Sequence, residues 1–145
     1  MSIELPFAPV DTIIRRNAGG LRVSLDAAEE LALQIQLEGA SLSVEASIVA
    51  DANGRKTIQE EDFNIESEDI KKDLTLPIAP IDRIARLEID SRYRIGNDAR
   101  VALARYLEEY ADQVAKKSVL LARHAGRKTI QKEDIQAYFK IIERP

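Results

Sequence analysis

The chain has 145 residues, 45% hydrophobic and 32% charged, with 6 Gly, 5 Pro, no Cys, no Trp and one His, which is the profile of a folded soluble chain of one domain or two small ones. Without Cys there is no disulfide framework, thiolate metal site or Cys nucleophile, and His124 alone excludes a His-pair metal site. A formal net charge of -4, taken as an average, argues against a nucleic-acid partner. No apolar run is long enough to span a membrane, and Met1 to Val10 holds two prolines and an acid where an export leader would be basic and apolar. A cytoplasmic protein with no cofactor and no membrane contact is expected.

In chain order, a short helix opens near Ala8-Pro9, where Pro suits the first helical turn, and ends near Ala18-Gly19-Gly20. Ser24 is the expected N-cap of a long helix with Asp26 near its positive end. Leu31, Ile35, Leu42, Ala46 and Val49 form its buried stripe, and Gly39 should cost this helix roughly 1 kcal/mol. Gly54 stops the helix, Lys56-Thr57-Ile58 is extended, and a last helix starts around Gln59 and ends early at a polar stretch.

The same order then returns. Leu5-Pro6-Phe7-Ala8-Pro9-Val10-Asp11 reappears as Leu76-Pro77-Ile78-Ala79-Pro80-Ile81-Asp82, and Gly54-Arg55-Lys56-Thr57-Ile58-Gln59 as Gly126-Arg127-Lys128-Thr129-Ile130-Gln131. A fixed offset carrying six consecutive identities marks an internal repeat. In the second copy a short helix runs from about Ala79 to Leu87 and Asn97 is the expected N-cap. A long helix follows, striped by Leu103, Leu107, Tyr110, Val114, Ser118 and Leu121, and the last helix reaches about Glu143. The expected domains are 1–66 and 75–145, joined by a linker over 67–74. A helix of about 27 residues is some 40 Å long, and two short helices cannot cover its apolar stripe, so each copy needs the other.

The charge is unevenly spread: residues 1–63 carry five Lys and Arg against eleven Asp and Glu, whereas residues 75–145 carry fourteen against ten. All five cations of the first copy lie at a helix end or in loops: Arg15, Arg16, Arg22, Arg55 and Lys56. From Leu25 to Ala52 there are six acids and no Lys or Arg. An acidic shell with a basic edge is the pattern of a phosphate-following surface, although loop arginines also cap helix ends and solvate surfaces.

The run Leu76-Pro77-Ile78-Ala79-Pro80-Ile81, Arg94 before the long helix, Leu121-Ala122-Arg123-His124-Ala125-Gly126-Arg127-Lys128-Thr129-Ile130, and Glu133-Asp134-Ile135 closely resemble an archaeal histone. Residues 5–63 resemble a diverged copy, so the whole is similar to an archaeal histone doublet, and its mild acidity to doublets of salt-loving archaea. The resemblance implies an all-α fold of two tandem histone folds, short-long-short, paired head-to-tail in an intramolecular handshake without tails. It implies double-stranded DNA as partner and a place on the nucleoid.

In such a handshake Arg22 lies near Arg127, Lys128 and Thr129, and Arg94 near Arg55, Lys56 and Thr57, with Arg15, Arg16, Arg83 and Arg86 of the first helices between them. Arg22 and Arg94 match the family's groove-inserting arginine, while Thr12 stands where the second copy has Arg83. Arg55 with Asp62 and Arg127 with Asp134 match a structural ion pair bracing the second loop. Leu121, His124 and Asp134 match a contact through which histone dimers stack, with Ala137 where the family usually has Leu. Ala52 replaces the His in the first copy, so self-association is expected through the C-terminal half alone. A protein-interaction or transcription-regulating module with weak DNA binding is the competing expectation. No Ser/His/Asp set and no phosphate cradle points to an enzyme or a small-molecule substrate, and Gly19-Gly20 ends a helix.

Overall fold

The computed structural model describes residues 2–65 and 73–143. Two long helices, α2 (Leu25–Ala52) and α4 (Asn97–His124), dominate the molecule, and each is preceded by a short helix, α1 (Phe7–Asn17) and α3 (Ile78–Arg86). A further helix, α5 (Lys132–Ile142), follows α4. The short helices pack across the repeat boundary, α1 on α4 and α3 on α2, and α5 packs on both long helices. One apolar core results, in which Ile13, Ile14, Leu31 and Ile35 of the first copy meet Ile81, Ile84, Leu103 and Leu107 of the second. This is the handshake of two histone folds.

Small residues allow the long helices to approach. Ala27, Ala28, Ala32, Ala46 and Ala50 are buried along α2, as are Ala99, Ala104, Ala111, Ala115 and Ala122 along α4. Gly39 sits where α2, α3 and α4 converge: a Cβ there would stand 2.8 Å from Ile84 Cγ2 and 3.0 Å from Leu107 Cδ1. The residue that looks like a helix defect is the price of close packing at the crossing. The far end of the first stripe differs from expectation, because Val49 is 40% exposed and Ala50 takes the inward position.

Four two-residue strands staple the loops: β1 (Arg22–Val23), β2 (Thr57–Ile58), β3 (Arg94–Ile95) and β4 (Thr129–Ile130). They pair in parallel between the copies, β1 with β4 and β2 with β3, in the registers Arg22 to Thr129 and Thr57 to Arg94. Gly54 and Gly126 reverse the chain after the long helices with φ of 74° and 72°, the left-handed conformation that suits glycine after a helix end.

Two expectations are corrected. Asn97 is the first residue of α4, and the N-cap is Gly96, which aligns with Ser24; only Ser24 caps with its side chain, accepting from Ala27 N–H. The last helix of the first copy is a single 3-10 turn, Glu60–Asp62. Asp62 still closes the capping box there, but Phe63 turns into the core and the chain is extended at that point. Residues 66–72, which include most of the expected linker, lie outside the described residues.

Candidate nucleic-acid interface

The parallel ladders build two composite loop ends. At one, Arg22 N–H donates to Lys128 C=O at 2.9 Å, and Ser24 N–H to Ile130 C=O at 3.0 Å; at the other, Arg94 N–H donates to Lys56 C=O and Gly96 N–H to Ile58 C=O, both at 2.8 Å. Arg22 and Arg94 occupy equivalent positions, each opening its strand and exposed. Thr57 and Thr129 are half-buried opposite them.

Below each ladder an arginine braces the loop. Arg55 grips Asp62 through both Nη atoms at 2.7 Å and also donates to Thr57 C=O at 3.0 Å. Arg127 makes the matching two-pronged contact with Asp134. Each aspartate also accepts from the N-cap residue, Gln59 or Gln131. The Arg55 hydrogen bond leads in holding Asp62 below the usual carboxylate range; burial opposes it, and the Gln59 N–H adds to it. These two arginines are committed to loop architecture.

The first-helix arginines are all held by carboxylates. Arg15 bonds Asp11 at 2.7 Å and Arg86 bonds Asp82 at 3.0 Å, each one turn back on its own helix. Arg83 reaches Glu4 across the repeat boundary at 3.0 Å. Arg16 points into α4, where it bonds Asp112 at 2.7 Å and Glu108 at 3.3 Å and donates to Thr75 Oγ1 at 2.9 Å. The expected middle cationic cluster is therefore compensated at every member, and Arg16 serves as a bridge between the copies.

Arg16 belongs to a clasp centred on Glu108. Glu108 accepts from the backbone N–H groups of Thr75 and Leu76 at 2.7 and 2.8 Å, fixing the segment that leads into α3. At the equivalent place in α2, Gln36 accepts from Glu4 N–H and donates to Ser2 C=O, both at 2.8 Å. The signal was available in the offset, since both positions carry a long side chain able to receive backbone donors.

The residues set aside for stacking lie on α4 and α5. His124 is exposed, Leu121 and Ala137 are half-buried, and Asp134 is buried with its oxygens engaged by Arg127 and Gln131. Leu120 on α4 and Ile141 and Ile142 on α5 are 60%, 58% and 55% exposed.

The family of histone-like transcription factors (CBF/NF-Y) and archaeal histones matches residues 3–65 and again residues 74–137. The chain belongs to this family. It is a tandem doublet of histone folds, and the family is a structural, DNA-binding one without catalysis. A subunit of the archaeal histone HAN1 from Thermococcus zilligii is 54% identical over 65 residues, which is 45% of the doublet and 94% of that protein. Probable archaeal histone 3 of Methanocaldococcus jannaschii is 45% identical over 62 residues, 43% of the doublet and 90% of that protein. Each of these relatives thus corresponds to about half of the doublet. Among solved structures, the histone from Methanopyrus kandleri superposes with a TM-score of 0.70 at 28% identity, covering 90% of both chains. A protein of Thermus thermophilus superposes at 0.73 with 18% identity, covering 96% of the doublet and 97% of that chain, which speaks for the fold alone. Among the described residues no helix is long and apolar enough to cross a membrane.

Proposed function

We propose that the doublet bends or wraps duplex DNA without sequence preference, acting as a covalent pseudo-dimer on the chromosome in the cytoplasm. The observation that carries this reading is the pairing of loops between copies. It sets Arg22 beside Lys128 and Thr129, and Arg94 beside Lys56 and Thr57, while α2 has no Lys or Arg along its length. Such loop ends suit the minor groove where it faces inward about every 10 bp, a geometry for which the histone octamer, with arginines inserted and no base contacts, is the general precedent. Loop ends and first helices together suit about 30 bp per chain by that spacing. Phosphates are held by Arg22, Arg94 and Lys128, by the Thr57 and Thr129 hydroxyls, and by backbone N–H groups. The compensated arginines, Arg15, Arg16, Arg83 and Arg86, contribute less to affinity than their number suggests.

The units of function are 1–66 and 75–145, joined over 67–74. Two doublets associate through Leu121, His124, Asp134 and Ala137 of their C-terminal halves. That reading is supported by α5, which extends the C-terminal surface, whereas the first copy has a 3-10 turn there and Ala52 in place of the His. The second reading, a protein-interaction or transcription-regulating module, draws on the acidic α2 and on the ion pairs that tie up most edge arginines. A gel-shift series over salt decides between them. Affinity falling steeply with salt supports wrapping, and no binding at low salt supports the module.

A further inference from the structure

The two loop ends are unequal, and the inequality has one main source. At the position where the first copy carries Asp51 the second carries Arg123. On the Arg94 side, Asp51 bonds the ammonium of Lys56, which lies 5.1 Å from the centre of the Tyr93 ring. Asp90 binds Arg92 at 3.1 Å in the adjoining loop. Both of these cations, Lys56 and Arg92, meet a carboxylate.

On the Arg22 side the same space is a cleft of about 470 Å3 lined by Gly19, Gly20, Arg22, Arg123, Lys128 and Thr129. Among the described residues, no carboxylate lies within ion-pair distance of Arg22, Arg123 or Lys128. Arg123 donates through Nη2 to Ala18 C=O at 3.3 Å and Gly19 C=O at 3.1 Å, which closes the end of α1 and leaves its Nη1 and Nε donors for an incoming group. The Gly19-Gly20 pair places no side chain over the cleft, whereas the equivalent loop carries Asp90, Ser91 and Arg92, with Asp90 and Arg92 paired to each other.

We propose that the Arg22–Arg123–Lys128 cleft is the primary phosphodiester seat of the doublet on duplex DNA, and that Asp51 masks Lys56 and makes the Arg94 end the secondary seat. The proposal rests on the DNA reading above. A phosphate entering the cleft meets three cations and the Thr129 hydroxyl with no acid to displace; at the other end the Lys56 ammonium must first be shared with Asp51.

The test uses the full chain with Lys128→Gln, Lys56→Gln, Asp51→Asn and, as a charge control away from both loops, Glu45→Gln. Binding to a duplex of about 40 bp is measured across a salt series. Lys128→Gln is expected to weaken binding about five-fold at low salt and to lower the salt slope by about one. Lys56→Gln costs about two-fold, Asp51→Asn strengthens binding about three-fold, and Glu45→Gln gives less than half that gain. Equal losses from Lys128→Gln and Lys56→Gln, or equal gains from Asp51→Asn and Glu45→Gln, overturn the inequality and leave the DNA reading standing. No binding by the wild-type chain at low salt overturns the DNA reading and this proposal with it.

Discussion

Arg16 on α1 and Asp112 on α4 join the two copies through a two-pronged contact, Nε to Oδ1 at 2.9 Å and Nη2 to Oδ2 at 2.7 Å. Asp112 also accepts from Asn17 at 2.8 Å. Burial works to raise the Asp112 pKa and is overcome by the hydrogen bonds from Arg16 and Asn17, with the charges of Arg16 and Lys116 adding to them, so the net direction is down. The contact has no mirror image, because the equivalent residues are Leu87 and Ala40.

Arg16→Ala and Asp112→Ala should each lower stability by about 1–2 kcal/mol, more than an exposed pair and less than a fully buried one. Urea unfolding reads the loss. Arg16→Ala should reduce DNA affinity less than Arg22→Ala does. A larger effect on DNA than on the urea midpoint would return Arg16 to the DNA surface.

Arg22→Ala combined with Arg94→Ala should weaken binding alike on all duplex sequences and reduce the salt slope by about two, one for each lost phosphate contact. Titrations on AT-rich, GC-rich and mixed duplexes check this. A loss confined to one sequence would reveal base readout.

Gly39→Ala trades roughly 1 kcal/mol of helix propensity against overpacking worth about 1–3 kcal/mol. Ile84 Cγ2, at 2.8 Å from the new methyl, cannot swing aside as a flexible chain end could. We expect a net loss of about 1 kcal/mol, seen as a lower thermal midpoint. A higher midpoint would mean that α3 yields.

Acid should unfold the protein through Asp62 and Asp112, whose folded pKa values lie below the ordinary Asp value, which is about 3.9 in the unfolded chain. Their contribution is complete above about pH 4 and is lost as pH falls through the depressed folded values. Glu38 acts in the opposite sense. Burial, then the charge of Glu45, raises its pKa against the hydrogen bond from Tyr106, so its penalty at neutral pH is relieved as pH falls through that raised value. Stability measured against pH should therefore rise slightly before it collapses. Glu38→Gln should remove the rise, and Asp62→Asn the first part of the collapse.

On long DNA, mass measured by light scattering after nuclease trimming should stop at two chains. His124→Ala should return it to one. Open-ended growth would show that the first copy also stacks.

Much of this was readable in advance. The offset repeat exposed the two histone folds, and the five cations of the first copy stood out in loops and at a helix end, although carboxylates compensate Arg15 and Arg16 there. Other features were hidden for specific reasons. Arg15 and Arg16 are neighbours in sequence, and only the docking of α4 decides which of them turns inward. Asp112 was silent because its counterpart is Ala40, so the repeat offered no match. Gly39 looked costly because propensity concerns one helix, whereas its use depends on Ile84 and Leu107 from two others. The cap of α4 was misplaced by one residue because Asn97 is a favoured capping type, whereas the offset that maps Arg22 onto Arg94 puts Gly96 opposite Ser24. The difference between the two loop ends left one trace in the sequence, the offset that aligns Asp51 with Arg123.

A symmetric dimer writes every substitution on both sides of its axis, so a change that helps one side must be tolerated on the other. The tether removes that obligation. Arg16 could acquire Asp112 as a partner while Leu87 stayed apolar, and each copy answers only to the twin that it is always translated with. Covalent repetition in tandem leaves the two halves of the body free to specialise, with their ratio held at one to one.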